Sequence, residues 1–239
     1  MEEDPVRADL ARSLRLFRAF RSEQSDGESY YTTLAADTAA LLSGYVALDG
    51  LTVLDVGGGP GYFAREFRSR GARCVCVDIS AGELAGGGVL GSALELPFRD
   101  GSVDVCFSSN VLEHVPQPWR MAGEMGRVVR PGGLVFLAYT NWLSPWGGHE
   151  TSPWHYLGGE RAVRRYHHKH RKMPKNRYGE TLYPVSVAAG LRWARAAGDL
   201  EPVDAFPRYL PRWYRPMLKV PILREFTTWN LVLVLRKNA

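Results

Sequence analysis

The 239-residue sequence has no run of eighteen apolar residues, so no membrane-spanning helix is expected. Charged residues stand throughout its N-terminal segment, which leaves no apolar core for a signal peptide. Cysteine is scarce. The three present, Cys74, Cys76 and Cys106, fall inside predicted strands, and Cys74 and Cys76, two apart, share one strand face. With no histidine or further cysteine at ligand spacing, they read as small core residues rather than a disulfide framework or a metal site. A reducing cytoplasm is the expected location. There is no internal repeat and no low-complexity tract. The charge excess is also small, 30 basic against 25 acidic residues, so its distribution matters more than its sum. An apolar content of 45% suffices for the core of one α/β domain with an inserted cap.

One further absence is decisive. A dinucleotide fingerprint needs glycines at G-x-G-x-x-G, and counting from Gly57 or Gly58 an aromatic residue, Tyr62 or Phe63, stands where the third glycine is required. The sequence instead has Asp55 followed by Gly57-x-Gly59-x-Gly61, with Gly58 inside the run. An apolar strand (Leu51 to Val56) leads into this turn and a helix (Tyr62 to Arg70) leaves it. Such a turn lets backbone approach a ligand closely and points free helix N–H groups at it.

The pattern resembles motif I of the class I S-adenosylmethionine-dependent methyltransferases, which reads D/E-x-G-x-G-x-G. Three further segments of the family follow in order. Arg73 to Ser80 is a buried strand ending in Asp78, about 20 residues past the glycines, where an acid can accept hydrogen bonds from ribose hydroxyls. The run Gly91-Ser-Ala-Leu-Glu-Leu-Pro-Phe resembles the family's G-D-A-x-x-L-P-F, with Ser92 in place of the Asp that meets the adenine amine. A hydroxyl is a weaker partner there than a carboxylate. Arg130-Pro-Gly-Gly133 resembles the L-K-P-G-G that precedes the fifth strand.

The resemblance covers residues 50–140 well, 183–239 more weakly, and not 1–48 or 141–182. It implies a doubly wound, seven-stranded, mostly parallel sheet with the last strand antiparallel. A single methyltransferase domain follows: an N-terminal helical cap (1–48), a cofactor-binding core (49–140), an inserted acceptor cap after strand five (141–182), and a C-terminal helix with strands six and seven (183–239). It implies S-adenosylmethionine as cofactor, leaving as S-adenosylhomocysteine. Its contacts would come from Asp55, Gly57, Gly58, Gly59, Gly61, Asp78, Ile79, Ser92, Ala93, Asn110 and Tyr31. The tyrosines 30 and 31, at the junction of two N-terminal helices (5–22 and Ser29 to Tyr45), could contact the cofactor but are more often simply core.

Further strands are expected at Val103 to Ser109, Leu134 to Thr140, Leu200 to Phe206 and Thr228 to Arg236, with helices at Pro118 to Val129 and Ser186 to Ala197. The glycine-rich run 82–91, where a helix would be expected, reads as short or irregular. Residues 141–156, with three tryptophans broken by Pro and Gly, cannot be a regular element and follow a strand whose end faces the cleft. They are the expected acceptor pocket. A base is needed only if the acceptor arrives protonated, and the candidates are His149 first, then His155, His114 and Glu150. The basic stretch 161–177 reads as a solvated helix or as a site for an anionic acceptor, membrane surface or nucleic acid. The segment 209–226 could wrap the domain or lie on a membrane. The expected activity is methyl transfer to a small-molecule or lipid-like acceptor. A nucleic-acid methyltransferase and a non-catalytic cofactor-binding protein are the alternatives, and oligomeric state is unreadable.

Overall fold

A computed structural model describes residues 5–21, 26–84 and 87–239. Position 22 of the first expected helix, residues 1–4, and Ala85 and Gly86 of the glycine-rich run lie outside it. Seven strands form one sheet: β1 (Thr52–Val56), β2 (Arg73–Asp78), β3 (Val89–Leu90), β4 (Val103–Ser109), β5 (Val129–Thr140), β6 (Leu200–Pro207) and β7 (Asn230–Lys237). Their spatial order is β3-β2-β1-β4-β5-β7-β6. The first five are parallel, and β7 runs antiparallel to both β5 and β6.

Period-two alternation sorts the strand side chains into two cores. Val135, Leu137 and Tyr139 of β5 join Leu231, Leu233 and Leu235 of β7 on one face. There α4 (Pro118–Val128) and α6 (Val187–Ala196) cover them with Met121, Met125, Val187 and Leu191. Leu134, Phe136 and Ala138 join Val232 and Val234 on the other face. That face is closed by α1 (Pro5–Arg21), α2 (Gly27–Ser43) and α3 (Tyr62–Ser69). Phe107 packs there between Phe63, Phe67 and Phe136, with ring centroids 4.8, 5.0 and 5.4 Å away. Burying each such ring contributes about 1.5–3 kcal/mol. Cys74 and Cys76 lie in this second core and Cys106 in the first, all as buried free thiols.

The structure differs from the expectation in a few places. β5 starts at Val129, not Leu134, because Val103 and Val105 of β4 pair with Val129 and Leu134, and Arg130 to Gly133, of which the first three are exposed, bulge out between them. The third strand is only two residues long, and residues 81–84 before it form a turn, with no helix among the described residues of the run. Glu113 and His114 belong to a separate 3-10 turn, Leu112–His114, not to the start of α4, because Pro116 and Pro118 interrupt the chain between them. Residues 141–158 contain two short 3-10 turns, His149–Thr151 and Trp154–Leu157. α5 (Gly159–His170) then packs on both, and its basic side chains are largely exposed. The 209–226 segment folds as a 3-10 stretch, Arg212–Lys219, followed by α7 (Leu223–Thr227). Among the described residues no helix is long and apolar enough to cross a membrane.

Glycine sets how closely α6 approaches the sheet. A Cβ on Gly190 would stand 2.2 Å from the Tyr139 hydroxyl, which donates to the Ser186 carbonyl at 2.9 Å. Gly123, on α4, has nothing within 4 Å of that position. In urea unfolding, Gly190→Ala is expected to lose about 1–3 kcal/mol through overpacking. Gly123→Ala is expected to be neutral or to gain up to about 1 kcal/mol from helix propensity.

Candidate active site

All five parallel strands end at one edge of the sheet. Strand order reverses between β1 and β4, which opens a crevice above their carboxyl ends. The glycine loop lies there. Gly57 has φ +73° and its N–H donates to the Val77 carbonyl at 2.8 Å; a Cβ on it would stand 2.4 Å from Val111 Cγ2. A Cβ on Gly58 would meet Asp55 Oδ2 at 2.8 Å and Cys76 Sγ at 2.9 Å. Both positions therefore hold bare backbone because neighbouring side chains already fill the space. Gly59 donates its N–H to Asp78 Oδ2 at 3.3 Å, and Gly61 forms the N-cap of α3.

Asp78 ends β2, and its other oxygen accepts from the Ser80 N–H at 3.0 Å. Ile79, next in the chain, is 77% exposed at this edge, an unusual place for a branched apolar side chain. Ser92 follows β3 and its hydroxyl accepts from Leu94 N–H at 3.1 Å, while Ala93 is half-buried against the core. Tyr31 is half-buried and stacks on Tyr62, centroids 5.7 Å apart. Tyr30 is buried and its hydroxyl meets that of Tyr209 at 2.7 Å. Asp55 is buried beneath the loop. Burial, then the neighbouring Asp78 charge, push its carboxyl up to about 7 against a partial offset from Arg68.

The end of β4 continues the site. Ser108 Oγ donates to the Val56 carbonyl at 2.8 Å, and Ser109 Oγ accepts from Arg208 Nη1 at 2.6 Å. Asn110, at φ +57°, accepts on Oδ1 from Asn230 Nδ2 at 2.8 Å. Arg208 was not foreseen. It follows β6 and is fully buried, and its guanidinium donates to Ser109 and the Thr38 hydroxyl and lies over the Phe63 ring. Its Nε has no partner, and among the described residues no carboxylate pairs with it. An arginine inside the aromatic-apolar run Ala205-Phe-Pro-Arg-Tyr-Leu210 was the available signal.

Beyond Asn110, the Glu113 carboxylate is buried and accepts from the Thr140 N–H at 3.0 Å, at the end of β5. Its second oxygen has no partner. Burial holds this carboxyl above its ordinary range. The His114 and His149 rings lie 5.1 Å apart. His149 sits at φ +48°, a conformation a β-substituted residue rarely adopts. Its Nε2 is shielded and unpartnered. Burial, with the His114 and His155 charges, lowers its pKa to about 3, so it is neutral at physiological pH. The other two candidates for a base are placed elsewhere. His155 is buried with Nε2 3.1 Å from the Ser144 carbonyl, where it braces the loop against Trp142. Glu150 is engaged by Asn176 Nδ2 at 3.1 Å to both oxygens.

Residues 54–137 match the family model of the methyltransferase domain. Over 246 residues the chain is 53% identical to a Mycolicibacterium gilvum protein described as an uncharacterized methyltransferase, covering 96% of each. A protein of the same description from Mycobacteroides abscessus is 53% identical over 249 residues, 96% of this chain and 95% of that one. The chain belongs to the methyltransferase family. Two solved methyltransferases share the fold of this one at low identity. That of Mesorhizobium loti superposes with a TM-score of 0.58 at 19% identity, over 84% of this chain and 98% of its own. That of Aquifex aeolicus gives 0.54 at 13%, over 92% and 98%.

The buried acid of the methyltransferase makes its stability depend on pH. Asp55 holds its proton more tightly folded than unfolded, where it titrates near 3.8. The stabilising contribution of the protonated form is therefore complete below about pH 4 and is lost as pH rises to about 7, by up to ~1.4 kcal/mol per pH unit. In the cofactor-free protein, the melting temperature of wild type should fall between about pH 5 and pH 7 relative to Asp55→Asn. Above about pH 8 the difference should stay constant. Parallel curves across the whole range would place Asp55 in a solvated environment instead.

Proposed function

We propose that this methyltransferase binds S-adenosylmethionine in the β1–β4 crevice and methylates a small-molecule or lipid-like acceptor held beneath residues 141–182. The observation that carries this reading is the cradle itself, in which backbone at Gly57–Gly59 lies beside two acids, Asp55 and Asp78. Bound there, the cofactor supplies an electrophilic methyl on a sulfonium centre. Asp78 accepts from the ribose hydroxyls, Ile79 covers the adenine, and Gly57–Gly61 pass close to the methionine half. Tyr31 and Asn110 border that half, and Ala93 offers backbone to the ring edge. Ser92 Oγ already accepts from Leu94, which leaves it one lone pair for the adenine amine. Arg208 supplies a counter-charge for a carboxylate: a fully buried guanidinium with neutral partners is costly until an anion joins it.

The acceptor side is apolar at its rim and polar inside. Trp146, Trp154, Tyr156 and Leu157 are exposed on the cover, and Tyr156 lies 6.2 Å from the exposed Phe226 ring. That supports an acceptor with rings or a lipid-like portion. Inside, the Glu113–His114–His149 group stands where an acceptor's reacting end would enter, and it supports an acceptor that must lose a proton.

Calorimetric titration with S-adenosylmethionine, S-adenosylhomocysteine and NADH tests the cofactor. Binding of both sulfur ligands and not of NADH is expected. Asp78→Ala should weaken them about 10–100-fold, the loss of charged hydrogen bonds worth about 1.5–3 kcal/mol, with the melting temperature unchanged. Unaltered affinity in that variant would remove Asp78 from the ribose site. Cofactor binding without turnover across a broad acceptor panel would favour a non-catalytic role, and salt-sensitive RNA binding a nucleic-acid substrate.

A further inference from the structure

No metal site was expected from the sequence, and 35 positions separate His114 from His149. The fold removes that distance. One donor atom each from Glu113, His114 and His149 lies within 4.8 Å of the other two, and no second such group occurs among the described residues. We propose that these three side chains form a binding site for a divalent transition-metal cation, with open positions facing the acceptor.

The hydrogen bonds around the group leave the donor atoms free. The His114 Nδ1 is 2.7 Å from the Thr181 carbonyl, which can only accept. The proton therefore sits on Nδ1 and the Nε2 lone pair is available. A metal-ligating histidine characteristically donates its other N–H to a carbonyl in this way. Glu113 is held through one oxygen by the Thr140 N–H, and its second oxygen, buried, bonds to nothing. The His149 Nε2 is likewise buried and unpartnered. Two buried polar atoms left without a hydrogen-bond partner are unfavourable, and a cation bound by both would relieve them.

The frame around the ligands is tied in place. The Glu113 carbonyl accepts from Tyr183 N–H at 2.7 Å, so the strand-like return at 181–183 grips the 112–114 turn on both residues. His149 is fixed by its N–H on the Trp146 carbonyl at 2.8 Å, and Asn176 anchors the neighbouring Glu150. Around a four-coordinate cation with bonds of about 2.0–2.1 Å, donor atoms stand roughly 3.3 Å apart. Side-chain rotation on this fixed backbone closes the remaining gap. Two imidazoles and one carboxylate suit Zn²⁺, Mn²⁺, Fe²⁺ or Co²⁺ better than Mg²⁺ or Ca²⁺, which take oxygen. Three protein ligands also leave positions open, as catalytic rather than structural sites do. An oxygen donor, such as a hydroxyl of the acceptor, fits those positions. That acceptor class rests on the methyl-transfer reading above; the cation site does not.

The test uses the full chain, stripped with chelator and titrated with Zn²⁺ and with Co²⁺. One equivalent of either should bind, and Co²⁺ should give the visible bands of a cation held by nitrogen and oxygen. The exposed α5 histidines are removed first, as His167→Ala, His168→Ala and His170→Ala together, and the equivalent should persist. Glu113→Gln keeps the bond to Thr140. It and His149→Ala should each weaken binding at least about tenfold, while S-adenosylmethionine affinity and melting temperature report an intact fold. No stoichiometric cation in the α5 variant, or equal affinity after Glu113→Gln and His149→Ala, would overturn the site. Because cofactor binding is read separately, loss of the cation with cofactor bound sinks only this inference. A bound cation with no cofactor sinks only the methyl-transfer reading.

Discussion

Three consecutive side chains at the end of β4 tie the active edge of the sheet together. Ser108 reaches the last carbonyl of β1, Ser109 receives Arg208 from beyond β6, and Asn110 receives Asn230 from the start of β7. The Asn110 N–H also closes on the Ala138 carbonyl of β5 at 2.9 Å. β4 is thus tied at one point to four other strands by hydrogen bonds, worth about 0.5–1.5 kcal/mol each between neutral groups and about 1.5–3 kcal/mol for the one from the Arg208 guanidinium. The positive φ at Asn110 follows from this: the chain turns sharply there to bring Val111 against bare Gly57. The glycine loop, the buried arginine and the Glu113 turn all take their positions from that corner.

The same corner explains the distribution of charge. On the β1–β2 side lie two acids, Asp55 and Asp78, which suit a ligand carrying positive charge. On the β6 side lies Arg208, with no counter-ion among the described residues, which suits a carboxylate. A zwitterionic ligand spanning the two would relieve both, and the methionine half of S-adenosylmethionine is of that kind. Between them and the cover, the neutral His149 and the half-satisfied Glu113 add a third electrostatic demand.

What could be read from the sequence was local. β1, β2, β4 and β7 show as apolar runs within two residues of their ends, and the glycine loop shows because its spacing is contiguous. Asp78 shows because it closes a strand at a fixed offset. The association of Arg208 with Thr38 and Ser109 did not show, since it spans up to 170 positions and neither Arg208 nor Thr38 is unusual alone. The Glu113–His149 grouping was hidden in the same way, although His114 and His149 were each singled out as candidate bases. His155 and Glu150 share the composition of a catalytic group but not its freedom, because the loop spends them on Ser144 and Asn176. The start of β5 was hidden by Pro131-Gly-Gly133, which reads as a stop and is accommodated as a bulge.

β7 comes after β6 in the chain yet lies inside it in the sheet, between β5 and β6. Neither ladder can form until residues 230–237 have been synthesised. Through the whole of 141–229 the β5 edge therefore stays open on a growing chain, with Phe136 and Leu137 on either face of it. Arg208 and Ser109 can meet only loosely in that interval, because the strand that spaces them is missing. The ligand crevice is in this sense the last part of the molecule to become rigid, and an open β5 edge is where a nascent chain of this fold would need shielding from its neighbours.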